Sequence, residues 1–129
     1  MTILSRLKRA LLLALGLTLL VNAVALAHAI VVRTDPLDGA VLAEAPRQIR
    51  LWFSEEIAVN LSKFSVSASA GDIVPITSVQ ADATEPALII IDVPALKPSA
   101  YRVSWDVLST DDLHLRHGSL VFGVQTTAG

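Results

Sequence analysis

The chain contains no cysteine, and its only methionine is Met1. The first absence excludes disulfide frameworks, thiolate zinc sites, iron–sulfur clusters and cysteine nucleophiles. The second leaves the chain beyond residue 1 without any soft sulfur ligand. Positive charge is also scarce: ten Lys and Arg stand against twelve Asp and Glu, a formal net charge of −2. That balance gives no basic footprint for nucleic acid, so no nucleic-acid partner is expected. Charged residues make up only 17% of the 129 positions, hydrophobic ones 53%, and the mean hydropathy is +0.59. Such a composition argues against a disordered chain, and the length fits one domain.

The averages conceal two unlike pieces. Residues 1–27 hold Arg6, Lys8 and Arg9 and no acidic residue, followed by the apolar run ALLLALGLTLLV and then Ala25-Leu26-Ala27. A basic start, an apolar run and a small-x-small site form the order of a secretory signal peptide. The apolar stretch is short for a membrane span of about 20 residues. Cleavage after Ala27 is therefore expected, leaving a soluble mature domain of residues 28–129. That piece has 102 residues, all six prolines, all three histidines and a formal charge of −5. It would begin at His28, whose free α-amine and imidazole Nδ1 can chelate one metal ion. Uncleaved, the same nitrogen is an amide and a poor ligand.

The mature chain shows little helical periodicity. Short β-branched or alternating runs are separated by Pro, Gly, Asp and Ser. Residues 29–33 read as a strand, and 34–46 as a connection rich in turn residues. QIRLWF at 48–53 places Ile49, Leu51 and Phe53 on one face, and KFSVSAS at 63–69 does the same for Phe64, Val66 and Ala68. IVPITSVQ at 73–80 reads as a strand that Pro75 either confines to an edge or splits. ALIIIDV at 87–93 reads as a buried strand. Tyr101, Val103, Trp105 and Val107 share a face, and the last strand is expected at 119–124. About seven short strands at roughly ten-residue spacing predict an all-β antiparallel sandwich or small barrel.

Chemistry concentrates in Ser109-Thr110-Asp111-Asp112-Leu113-His114-Leu115-Arg116-His117-Gly118, a connection between two expected strands. In extended chain Asp112 and His114 point to one side, where they can ligate a metal or form an acid/base pair. With the amine and imidazole of His28 they make a nitrogen-rich, oxygen-supplemented set. Such sets suit Cu(II) in tetragonal geometry, and zinc can use the same ligands tetrahedrally.

The mature chain resembles the CopC family of periplasmic copper-binding proteins. The resemblance rests on His28-Ala29, on Asp35-Pro36-Leu37-Asp38-Gly39-Ala40, on Ile49 to Glu55 with its L-x-F-S-E pattern, on Leu96 to Trp105, and on the D-x-H region followed by G-x-x-x-F. It implies a cupredoxin-like or immunoglobulin-like β-sandwich. It also implies a Cu(II) site made by His28, through amine and imidazole, with Asp112 and His114. Glu55 matches a glutamate that lies beside the copper as an outer hydrogen-bond partner. The Ser109-to-Asp spacing selects Asp111 instead, whereas D-x-H and the spacing to Gly118 select Asp112. One inserted residue before Asp112 reconciles them, with Asp111 as the fallback ligand and His117 as an outside contact. The resemblance further implies a CopD-type inner-membrane copper transporter as partner. The expected function is periplasmic Cu(II) sequestration or carriage in copper homeostasis and resistance, not catalysis. The alternative is an oxidative copper enzyme, because copper-dependent polysaccharide monooxygenases also use an N-terminal histidine chelate. Asp112 opposes that reading by filling a coordination position and stabilising Cu(II).

Overall fold

A computed structural model describes residues 29–111 and 114–128, together with Ile3 and Arg6. The expected leader therefore falls almost entirely outside the described residues. Among the described residues the chain forms nine strands: β1 (Val31–Asp35), β2 (Ala40–Leu42), β3 (Gln48–Phe53), β4 (Lys63–Ala68), β5 (Ile73–Val74), β6 (Ser78–Ala81), β7 (Leu88–Asp92), β8 (Ser99–Val107) and β9 (Arg116–Val124). They pack as two sheets, β1-β3-β7-β6 and β2-β9-β8-β4-β5. Among the described residues no helix is long and apolar enough to cross a membrane.

Period-two alternation builds the core. Ile49, Leu51 and Phe53 of β3 and Ile89 and Ile91 of β7 turn toward the other sheet. They meet Val66 of β4, Tyr101, Val103, Trp105 and Val107 of β8, and Leu120, Phe122 and Val124 of β9. Tyr101 stacks on Phe122 at 5.5 Å, and Phe53 meets Trp105 edge-to-face at 6.3 Å and 87°. Both arrangements suit the ring quadrupole. Strand β7 is buried on its outer face as well, since Leu88 and Ile90 are 4% and 7% exposed. Their cross-strand neighbours are Trp52 and Arg50, long side chains whose apolar parts can cover that face.

Three sequence expectations change in detail. Nine strands replace about seven, for two reasons. The 34–46 connection contains β2, and the 73–80 run is split at Pro75. Its first half, β5, pairs with β4 in one sheet, and its second half, β6, pairs with β7 in the other. Proline cannot donate to a ladder, so the crossing between sheets falls there. The sandwich is also not wholly antiparallel, because β2 runs parallel to β9. The turn before β2 fixes that pairing. Gly39 takes φ of +81° and donates its N–H to the Val121 carbonyl at 2.7 Å. Asp38 Oδ1 accepts from the Val121 N–H at 2.9 Å. The P-x-x-G pattern thus encodes a left-handed position that glycine takes without strain. Finally, β9 starts at Arg116 instead of 119, because cross-strand pairing with β8 continues to Val107 and Arg116.

Candidate metal centre

Three chain segments converge at the end of the sandwich where β3 and β8 stop and β9 begins. Residues 29–30 lie beside Ser54: the Ser54 N–H donates to the Ile30 carbonyl at 2.8 Å, and the Ser54 hydroxyl accepts from the Ile30 N–H at 3.1 Å. Ala29 is buried in the core cluster, so the entry of the chain is fixed by apolar contact and by two hydrogen bonds. The loop after β8 is tied to the segment after β3. Ala58 donates to the Leu108 carbonyl at 2.8 Å and Thr110 donates to the Glu56 carbonyl at 3.1 Å. Ile57 and Ser109 form an isolated antiparallel bridge between these ties. The Ser62 hydroxyl completes the junction by accepting from the Leu108 N–H at 3.1 Å and donating to the Ala58 carbonyl at 2.8 Å.

Glu55 sits in the middle segment, between Ser54, which holds residues 29–30, and Glu56, which holds Thr110. Its Oε2 is shielded from solvent and has no hydrogen-bond partner among the described residues. Shielding a carboxylate oxygen without a partner is unfavourable, because its hydration is lost and nothing replaces it. Such an exception is expected where a cation or another donor completes the group.

The residues singled out in the sequence are distributed unevenly. His28 and Asp112 lie outside the described residues. Asp111 and His114 are exposed on the loop after β8, which brings Asp111 one residue beyond the Thr110–Glu56 tie. His117 is paired across the β8–β9 ladder with Asp106, and its Nδ1 contacts Asp106 Oδ1 on the outer face of the sheet. Among the described residues, no three His, Asp or Glu side chains converge as a metal-holding group.

Both tryptophans are explained by packing. Trp105 is 5% exposed and lies over Gly118. A Cβ on Gly118 would stand 2.3 Å from the indole Nε1. Trp52 lies on the outer face of β3, where the Arg33 guanidinium sits 3.7 Å from its ring centroid and its Nε1 donates to Glu85 Oε2 at 3.4 Å.

Three residues with no role legible in their motifs have one in the structure. Ser54 anchors the chain entry, Ser62 clips the loop, and Asp106, outside this junction on the outer sheet face, engages His117. Only Asp106 had a legible signal, since it falls on the outward, polar face of YRVSWDV.

The CopC domain matches residues 31–125 of this chain. The chain belongs to the CopC family. Solved structures of similar proteins agree with this assignment. CopC from Methylosinus trichosporium OB3b is 28% identical with a TM-score of 0.69, over 75% of this chain and 93% of that one. PcoC, a methionine-rich copper resistance protein from Escherichia coli, is 27% identical with a TM-score of 0.68, over 76% of this chain and 99% of that one. No curated protein sequence matches the chain. The two-sheet architecture is thus the CopC β-sandwich. Within it, the F-S-E and P-x-x-G patterns have the structural roles described above. Unlike the methionine-rich PcoC, this family member has no methionine beyond Met1.

Proposed function

We propose that this CopC-family protein binds Cu(II) in the periplasm and sequesters or carries it for copper homeostasis and resistance. In this reading a signal peptide, residues 1–27, is removed. The amine and imidazole of His28 then form a chelate that Asp112 and His114 complete, and Asp111 stands in if the loop register shifts by one. Peptide geometry supports the assembly. Consecutive Cα atoms are about 3.8 Å apart, and Ala29 is held one residue from the Ile30–Ser54 hydrogen bonds. Asp111 and Asp112 follow directly on Thr110, which is tied to Glu56. The observation that carries the proposal is Glu55 Oε2, shielded and without a partner among the described residues, between those two ties. An outer carboxylate placed there can accept from a copper-bound amine or imidazole and orient it.

The donor set favours the oxidised ion. Imidazole, amine and carboxylate are borderline or hard ligands, whereas Cu(I) prefers the thiolates and thioethers that the mature chain lacks. A shell filled by four protein donors favours retention over turnover, since catalytic metals keep an open position. The protein is thus a carrier and not an enzyme. Handover to or from a CopD-type inner-membrane transporter is the corresponding partner reaction.

Mass spectrometry of the mature protein with and without Cu(II) tests the proposal. The expected result is a chain starting at His28 that takes up one tightly held copper ion. His28→Ala and His114→Ala variants should each lose at least about 100-fold in affinity, more than outer-shell changes cost. Affinity should also weaken as pH falls through about 6, where protons compete for imidazole. Unchanged affinity in both variants would place the site elsewhere. Ascorbate-driven substrate oxidation at enzyme-like rates would instead establish the oxidative copper enzyme.

A further inference from the structure

The outer face of the β2-β9-β8-β4-β5 sheet carries a second pair of metal-competent side chains that the His28 centre does not use. Asp106 of β8 and His117 of β9 are directly opposite in the ladder, one step from its last pair, Val107 and Arg116. Opposed residues on one face have Cβ atoms about 5 Å apart, a separation an imidazole and a carboxylate can bridge with one ion between them. The structure shows the two groups turned toward each other, with His117 Nδ1 on Asp106 Oδ1. Their side chains are 73% and 42% exposed, so an ion can reach them and open the contact without moving the strands.

We propose that Asp106 and His117 form a second, surface site for a borderline divalent cation, Cu(II) or Zn(II), at the root of the β8–β9 hairpin. His117 contributes Nδ1, with the imidazole proton on the solvent-facing Nε2, and Asp106 contributes a carboxylate oxygen. Water completes the shell. Mixed imidazole and carboxylate donors suit both ions. Two protein ligands make this site weaker than one with four donors, and a neighbouring charge weakens it further. Lys63 of β4 stands opposite Asp106 on its other side, so its ammonium repels a cation there. Arg102, on the same face, is engaged by Ser119 through Nη1 at 3.3 Å. The site lies on the outer sheet face, next to the junction of residues 54–58 and 108–110 but built from different side chains.

Titration of the mature full chain with Cu(II), and separately with Zn(II), followed by NMR and calorimetry, tests this. A second, weaker equivalent is expected, and it should perturb the His117 ring resonances. Asp106→Asn and His117→Gln should each weaken that step about tenfold or more while leaving the first step unchanged. Lys63→Ala should strengthen it about threefold, as removal of a partly screened like charge requires. In a chain carrying His28→Ala and His114→Ala the weak step should persist, which separates this site from the first. Absence of a second equivalent, or a second equivalent indifferent to both Asp106→Asn and His117→Gln, would overturn the proposal.

Discussion

At the end of the sandwich where β3 stops and β9 begins, Glu55 keeps a shielded carboxylate oxygen with no partner among the described residues. At the opposite end the polar groups of the strand termini are answered. The Tyr101 hydroxyl donates to the Lys97 carbonyl at 2.6 Å. Asp92 accepts from Ser78 Oγ at 2.5 Å and from Gln48 Nε2 at 2.9 Å. The same sheets thus end in two different ways. One end is finished by its own hydrogen bonds and closes the fold. The other leaves a shielded carboxylate oxygen without a partner among the described residues, as the proposed metal centre requires. Stability and metal binding should therefore respond separately to substitutions at the two ends.

The largest expected effect concerns the wall that both ends share. Gly118→Ala would drive a Cβ into the Trp105 indole. Overpacking of this kind costs about 3 kcal/mol, which for a domain of this size lowers Tm by more than about 10 °C. Thermal unfolding of the metal-free protein measures it, and an unchanged Tm would mean that Trp105 is free to move. Next, Glu55→Gln should set the two ends against each other. Copper affinity should fall about tenfold, while the metal-free protein should gain stability, because a neutral amide is less costly to shield than a carboxylate. A fall in both quantities would show that Glu55 belongs to the closed, structural class. Tyr101→Phe is the mirror experiment. It should cost about 1 kcal/mol of stability with no change in copper affinity, checked by denaturant titration and metal titration on the same samples.

How much of this contrast was legible in the sequence depends on the range of the interactions involved. QIRLWF and YRVSWDV were read correctly because alternation is a local signal that the sheet only has to respect. Pro75 was a local signal too, though not one that says the two halves enter different sheets. Strand β2 was invisible, since Ala-Val-Leu has no pattern of its own and is held by a distant partner through Asp38 and Gly39. The same limit applies at the site. Glu55 was found through its motif, but the roles of Ser54 and Ser62 are defined only by what lies across the junction. His117 is a further case: its sequence position marks it as an outside contact, and strand alternation sets it against Asp106 on the outer face, a partner eleven residues away that no local pattern names. His28 and Asp112 lie outside the described residues and remain part of the proposal.

The smallest expected effect is a pH dependence at the closed end. The hydrogen bond from Ser78, followed by that from Gln48, holds the Asp92 carboxyl below its ordinary value of 3.8. A carboxylate lowered on folding adds stability that is fully present above its unfolded pKa and is lost as pH falls through its lower folded value. Acid unfolding of the wild type should therefore show a slight steepening below about pH 4 that Ser78→Ala removes. An identical acid profile in the variant would show that Asp92 does not contribute.

In the proposed centre a metal held through the mature N-terminus completes the open end. Titration of Cu(II) into the chain beginning at His28, with its α-amine free and, in parallel, with that amine acetylated, separates this from any other mode of binding. Tight one-to-one binding to the free form is expected, with a loss of at least about 100-fold on acetylation, since a chelating donor is removed. Equal binding by the two forms would contradict it.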